Sequence, residues 1–267
     1  MKLRIHQIDA FTDRVFGGNY AAVIVIDEWL PDELMQSIAT ENNLSETAFA
    51  KKTDNCGCEN SYAVRWFSPL TEIAFCGHAT LATAYVLFNQ DSTIKELNFF
   101  ALAVGDLKVR LMDSGLIEMT FPLRKASAVD AIPQALLAGL SIEPEEVLLN
   151  EQAYLVVYPR EEDVQSVQPN LEELKKLAPY DVVVTSASSE YDFISRYFWP
   201  ANGTGEDPVT GSIHAGLAPL WAERLGKYSL SAYQASARGG RLHCRVSDND
   251  VVISGTAVQY LEGYIEV

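Results

Sequence analysis

The strongest constraint on this 267-residue chain is that it repeats itself. Arg65-Trp66-Phe67-Ser68-Pro69 returns as Arg196-Tyr197-Phe198-Trp199-Pro200, the shared pattern being Arg, an aromatic, Phe, any residue and Pro. Each copy runs through a short loop to a glycine that opens a small-residue helix pattern. In the first copy this is Cys76-Gly77-His78-Ala79-Thr80-Leu81-Ala82, and in the second Thr210-Gly211-Ser212-Ile213-His214-Ala215-Gly216. The offsets, 196 − 65 = 131 and 211 − 77 = 134, are both close to half the chain. A five-residue match alone also fits two unrelated strand-to-helix turns. The same strand, loop, glycine and helix in the same order favours a duplication.

Local patterning agrees with two α+β halves. Leu3 and Ile5 alternate with Lys2, Arg4 and His6, as in a half-buried strand. Residues 21–26 read as a second strand, and Pro31 opens a helix, where its missing N–H costs nothing. Further strands are expected at 45–50, 63–67, 107–111 and 116–121, around a central helix at 77–88. The second half repeats this with a short helix capped by Asn170 and strands at 182–185 and 193–198. A central helix is expected at 211–225, and Leu242, Cys244 and Val246 alternate as in an edge strand. Ala79, Ala82 and Ala84, like Ala215, Gly216 and Ala218, leave both central helices open to close approach on every side. The predicted fold class is therefore α+β, two pseudo-symmetric domains, each with strands wrapped around a central helix. The boundary falls near Pro122-Leu123-Arg124-Lys125, with no Gly/Ser-rich linker.

Composition removes several classes of function. With 36 acidic residues against 20 Lys plus Arg, the net charge is −16 and no basic run exists, so nucleic acid is not an expected partner. Apolar stretches such as residues 20–26 are too short to span a bilayer, and the start lacks the apolar core of a signal peptide. A soluble, cytoplasmic protein with no membrane partner is expected. Four cysteines do not make a disulfide scaffold in a chain of this length. Cys56-Gly57-Cys58 has no second Cys or His pair at zinc-finger spacing, so no metal is expected there.

A helix N-terminus presents unpaired N–H groups and partial positive charge, which bind carboxylate or phosphate. Both central helices are preceded by sequences suited to this, with Gly77 and Gly211 allowing close approach and His78 and Ser212 supplying side-chain donors. If the halves are related by a pseudo-twofold axis, the two ends can face one cleft. Three groups at turn positions then offer chemistry: Glu46 in Asn43-Leu44-Ser45-Glu46-Thr47, His78, and Asp207 in Glu206-Asp207-Pro208-Val209-Thr210. A carboxylate, an imidazole and fixed N–H donors can move a proton to or from carbon and stabilise the enolate-like charge. Local sequence leaves other roles open. Glu46 also fits a strand end or an arginine partner, His78 and Ser212 fit helix caps, and Asp207 fits an Asx turn. Glu72, Arg65 and Arg196 fit structural ion pairs, and His214 fits a helix interior.

Taken together, Asn43-Leu44-Ser45-Glu46-Thr47, Cys76-Gly77-His78-Ala79-Thr80 and Glu206-Asp207-Pro208-Val209-Thr210-Gly211-Ser212 resemble the PhzF-like phenazine-biosynthesis family. Asp9-Ala10-Phe11-Thr12, Phe16-Gly17-Gly18-Asn19 and Ser236-Ala237-Arg238-Gly239-Gly240 fit the same family, so the match runs from about residue 5 to the end. The resemblance implies a diaminopimelate-epimerase-like fold, with a first domain at 1–122 completed by roughly the last ten residues and a second at 123–267. It implies a homodimer without cofactor or metal, acting on a small carboxylate-bearing substrate. By resemblance, Glu46 shuttles a proton between carbons, and His78 and Asp207 bind and polarise the substrate. Gly77, Gly211 and Ser212 hold its carboxylate, and Asn19 joins the binding set. Related epimerases and racemases place a cysteine before each glycine. Here Cys76 fills the first position and Thr210 the second, which disfavours a two-thiol mechanism and makes Cys76 a small buried residue. Tyr20 stands where many relatives carry proline. The alternatives are an amino-acid epimerase or racemase using another base pair, and a catalytically silent binding protein on the same fold.

Overall fold

The computed structural model describes residues 1–53, 59–201 and 205–267, so Cys56 and Cys58 lie outside the described residues. The chain divides into two compact units, Met1–Thr120 with Ser254–Val267, and Phe121–Ile253. Unit 1 begins with β1 (Lys2–Ala10), β2 (Asn19–Ile26), α1 (Asp32–Asn42), β3 (Glu46–Lys52), β4 (Ser61–Phe67) and β5 (Glu72–Ile73). It continues through α2 (Gly77–Gln90), β6 (Glu96–Ala101), β7 (Gly105–Leu111) and β8 (Ile117–Pro122). Next come β9 (Ser127–Ala128), α3 (Gln134–Gly139), β10 (Glu146–Leu149), β11 (Ala153–Val157), α4 (Glu161–Ser166) and α5 (Leu171–Leu174). Then follow β12 (Asp181–Ala187), β13 (Phe193–Phe198), β14 (Glu206–Asp207), α6 (His214–Leu225), β15 (Ser229–Gln234), β16 (Gly240–Val246) and β17 (Asp250–Gly255). The last strand, β18 (Ala257–Glu266), returns to pair with β1.

Strand pairing shows the duplication residue by residue. In unit 1, β1–β2 is antiparallel, β2–β3 parallel, β3–β4 and β4–β5 antiparallel, β4–β6 parallel and β6–β7 antiparallel. In unit 2, β10–β11, β11–β12, β12–β13, β13–β14, β13–β15 and β15–β16 follow the same sequence of senses. Register then equates individual positions. Phe67 faces Thr47 and Glu72, and Phe198 faces Val182 and Glu206. The repeated arginines do the same work in both halves. Arg65 makes a two-pronged pair with Glu72 at 2.7 Å and stands 5.2 Å over the Phe67 ring. Arg196 pairs with Glu206 at 2.8 and 2.9 Å and stands 5.2 Å over Phe198. These are the structural ion pairs that the sequence allowed.

Each central helix is shaped by its small residues. In α2 the whole run from Gly77 to Ala84 is buried, and the helix packs on β1, β2, β3, β7 and β18. A helix apolar on every side is a core element, which explains why its sequence shows little amphipathic stripe. In α6, Pro219 lies inside the helix, where it has no N–H for the Ala215 carbonyl. The backbone N–H of Arg124 donates to that carbonyl at 3.1 Å instead, so the helix runs through its proline. A Cβ on Gly216 would sit 3.1 Å from the Arg124 carbonyl and 2.5 Å from Asn150 Nδ2, so the segment after β8 requires glycine there. The second central helix starts at His214, three residues later than the sequence predicted. Its approach is a tight turn with His214, Ala215 and Gly216 donating to the carbonyls three residues back. Asn170 stands at the start of α5, but its side chain makes no capping bond. No helix among the described residues is long and apolar enough to cross a membrane.

Candidate active site

In unit 1, three separate chain segments deliver polar side chains to one buried point. The first is the β1–β2 turn, whose backbone is held in an unusual shape. Phe11 and Phe16 adopt φ of 62° and 69°, sparsely populated for bulky residues, and Gly18 has φ of 62°. The turn ends at Asn19, which is 0% exposed. The second segment is Ser45-Glu46, at the start of β3, with Glu46 only 2% exposed. The third is Cys76-Gly77-His78, where Cys76 is the extended residue before α2 and His78 its second residue, 4% exposed.

Their hydrogen bonds form a directed chain. The Ser45 hydroxyl donates to Asn19 Oδ1 at 3.0 Å, and Asn19 Nδ2 donates to His78 Nδ1 at 3.0 Å. That leaves His78 Nε2 to carry the proton towards Glu46 Oε2, 2.8 Å away. Burial by itself depresses the imidazole, and the Glu46 carboxylate beside it acts in the opposite direction. The Cys76 thiol lies 3.4 Å from His78 Nδ1 and is pushed up to about 11, first by burial and then by Glu46. It is a neutral thiol at physiological pH, which agrees with its reading as a small buried residue. Ligand atoms of Glu46, Cys76 and His78 lie within 4.8 Å of one another. Within this group Glu46 Oε2 and His78 Nε2 stand 2.8 Å apart.

In unit 2, Asp207 lies in β14 and is 7% exposed. The Thr210 hydroxyl donates to Asp207 Oδ2 in a very short contact, which closes the loop that Pro208 stiffens. Gln234, fully buried, clamps this loop, its Nε2 donating to the Asp207 carbonyl and its Oε1 accepting from Thr210 N–H, both at 2.8 Å. The loop delivers Gly211 and Ser212 into the turn before α6. Among the described residues, the backbone N–H groups of Gly211, Ser212 and Ile213 make no hydrogen bond. The Ser212 hydroxyl accepts from Gln152 Nε2 at 3.0 Å. The same amide group donates to the Tyr197 phenol at 3.0 Å, and Tyr197 donates to Asp181 Oδ2 at 2.6 Å.

Glu46, His78 and Asn19 thus meet in unit 1, while Asp207, Gly211 and Ser212 gather in unit 2. Sequence reasoning missed Ser45 as a positioning group, read Tyr197 only as the aromatic of the repeated motif, and missed Gln152 and Asp181 altogether. One signal was available for the last, since 181 − 46 = 135 is nearly the offset of the repeated motifs.

His214 is a structural counterpart of Thr80, four residues after Thr210 and Cys76 respectively. Thr80 Oγ1 donates to the Cys76 carbonyl at 2.6 Å, and His214 Nδ1 donates to the Thr210 carbonyl at 2.9 Å. Full burial against Phe193 depresses the His214 imidazole to about 4, from 6.5 in an unfolded chain. The unfolded state therefore binds a proton that the folded state refuses. The contribution is intact above pH 6.5 and is lost as pH falls towards 4, by about 3 kcal/mol in total. Urea titrations at pH 7.5 and pH 4.5 should show wild type losing more stability on acidification than His214→Gln, which fills similar space and does not titrate. Equal losses would remove His214 from the acid limb.

The fold is one that a known epimerase also adopts. A hydroxyproline epimerase from Agrobacterium vitis, 11% identical, matches with a TM-score of 0.62 over 99% of this chain and 92% of that one. The chain belongs to the phenazine biosynthesis-like (PhzF) family, whose pattern it matches over residues 8–263. A PhzF-family phenazine biosynthesis protein from Enterococcus faecalis is 42% identical with a TM-score of 0.93, each chain being fully covered. A protein from Pseudomonas aeruginosa named as an uncharacterized isomerase is 46% identical over 267 residues, again covering both chains completely. A phenazine biosynthesis-like domain-containing protein from Homo sapiens is 37% identical over 98% of this chain and 99% of its own.

Proposed function

We propose that the protein is a cofactor-independent isomerase that moves a proton between carbons of a small carboxylate-bearing molecule. The observation that carries this reading is the buried Glu46 carboxylate, 2.8 Å from His78 Nε2 and aligned by Asn19 and Ser45. In the proposed step Glu46 takes the proton from a C–H bond, and the electron pair stays on the substrate as an enolate-like anion. Glu46 then returns the proton at another carbon, so the atoms of the substrate are conserved. His78 Nε2–H steadies the glutamate and polarises the substrate. The backbone N–H groups of Gly77 and His78, at the positive end of α2, favour the developing negative charge. On unit 2, the roles assigned by the family resemblance are polarisation by Asp207 and carboxylate binding by Gly211 and Ser212.

The names of the relatives as isomerases and the epimerase-type fold support the class of reaction. The single cysteine of the repeated motif, with its thiol raised to about 11, argues against a pair of thiol bases. Mass spectrometry of small amino and hydroxy acids and a dihydro-hydroxyanthranilate, each incubated with the protein in heavy water, tests the proposal. A one-mass-unit gain at carbon is the expected result. Absence of any gain across the panel would overturn it.

A further inference from the structure

The two halves place a carboxylate at equivalent points, yet only one of those carboxylates belongs to the reaction proposed above. Parallel register pairs Ala21 with Glu46 in unit 1 and Ala153 with Asp181 in unit 2, so Asp181 is the counterpart of Glu46. By the same count from the repeated glycine, Ser212 is the counterpart of His78. In unit 1 these two positions touch directly, as Glu46 and His78. In unit 2 the serine side chain is too short to reach, and Tyr197 and Gln152 fill the gap. The series Asp181, Tyr197, Gln152, Ser212 is continuous, with contacts of 2.6, 3.0 and 3.0 Å.

Its direction is fixed at both ends. Arg124 Nη1 donates to Gln152 Oε1 at 3.2 Å, and since a guanidinium can only donate, the Gln152 amide cannot be the other way round. Gln152 Nε2 must therefore donate to both Tyr197 and Ser212. Tyr197, accepting from Gln152, turns its own hydrogen to the Asp181 carboxylate. Burial holds that carboxyl up at about 6, against the hydrogen bond from Tyr197. Ser212, accepting from Gln152, is left with an O–H that no described residue accepts. It stands half-buried beside the unbonded N–H groups of Gly211, Ser212 and Ile213, so this turn offers a set of donors.

We propose that Asp181, Tyr197 and Gln152 form a positioning relay that fixes the Ser212 hydroxyl as a hydrogen-bond donor, making this turn select a carboxylate over its neutral amide. The proposal rests on the functional reading above only in assigning the anion to the substrate. Gln152→Glu is the sharpest probe, because it keeps shape and reverses the bond. A carboxylate at this position can only accept, so it draws the Ser212 hydrogen inward and removes the donor from the ligand.

The experiment is calorimetric binding of anthranilate and of anthranilamide, which differ in the carboxylate alone. Wild type should prefer anthranilate. Gln152→Glu should lose about tenfold to a hundredfold of that preference, the scale of one hydrogen bond to a charged group. Ser212→Ala should lose a similar amount, and the double variant no more than either alone, since both remove one interaction. Tyr197→Phe, which frees one end of Gln152, should lose less in the same direction and serves if Gln152→Glu does not fold. Wild-type preference retained in Gln152→Glu or, in its stead, Tyr197→Phe would overturn the relay, as would a wild type that does not distinguish the two ligands. Turnover does not enter the readout. A protein that shows the relay but exchanges no deuterium sinks the proposed reaction alone, and one that exchanges deuterium with unaltered variants sinks the relay alone.

Discussion

Glu46→Gln is expected to lower deuterium exchange by about 10²–10⁴-fold, the usual share of a general acid–base group. The change keeps the size of a side chain that is 2% exposed, so no cavity opens. It removes the charge that the proposed step needs to accept a proton from carbon. Its structural cost should be small for a specific reason. Losing one partner of a buried ion pair is severe when the other is stranded with its charge. Here the other partner is His78, whose protonation is favoured by Glu46 itself. Without the glutamate, the imidazole can stay neutral and keep its bond from Asn19 at 3.0 Å. Melting temperature should therefore move by a few degrees at most, while the rate falls by orders of magnitude. Single-turnover exchange on matched, folded samples separates the two effects. A Glu46→Gln protein that exchanges at the wild-type rate would remove Glu46 from the chemistry, whatever its stability.

The duplication was legible because its marks are local. Arg65 and Arg196 each carry an aromatic partner two residues on and a glutamate on the next strand, and all of this lies within about ten residues of sequence. Glu46 and His78 were legible as candidates for a similar reason, both sitting where a polar turn meets an apolar element. Their 2.8 Å contact was not, because it depends on the β2–β3 register and on the packing of α2. Asp181 escaped notice because an aspartate before Val182-Val183-Val184 looks like any strand start. The parallel register with β11 makes it the twin of Glu46. The late start of α6 had a distant cause as well. Gln234, twenty-four residues from Thr210, takes the N–H at the turn, and the chain then closes into a tighter first turn. Pro219 misleads in the opposite sense. Local rules break a helix at proline, and the compensating donor, Arg124, lies far away in sequence.

The other large effect is expected at Gly18, which holds the site together from outside it. Gly18 has φ of 62°, and a Cβ there would lie 2.0 Å from the carbonyl oxygen of Ala10 and 2.9 Å from Thr12 Cγ2. The left-handed backbone alone costs a non-glycine residue about 1–2 kcal/mol. The clash is with backbone, which cannot rotate away, and forced overpacking adds about 1–3 kcal/mol. Gly18→Ala should thus destabilise the protein by about 2–5 kcal/mol in urea unfolding, reaching the upper end for a single substitution. Gly115 supplies the control. It has φ of 85°, and a Cβ there would meet nothing within 4 Å, so Gly115→Ala carries the backbone penalty without the clash. A loss of about 1–2 kcal/mol is expected there. The clash also has a functional direction. Ala10 pairs with Asn19 across the β1–β2 turn, and Asn19 Nδ2 donates to His78 Nδ1. Pushing Ala10 from Gly18 moves Asn19 and turns the imidazole away from Glu46, so Gly18→Ala that still folds should lose exchange activity out of proportion to its folded fraction. Equal destabilisation by the two alanines would mean that φ, and not the approach of Ala10, is what demands glycine at this turn.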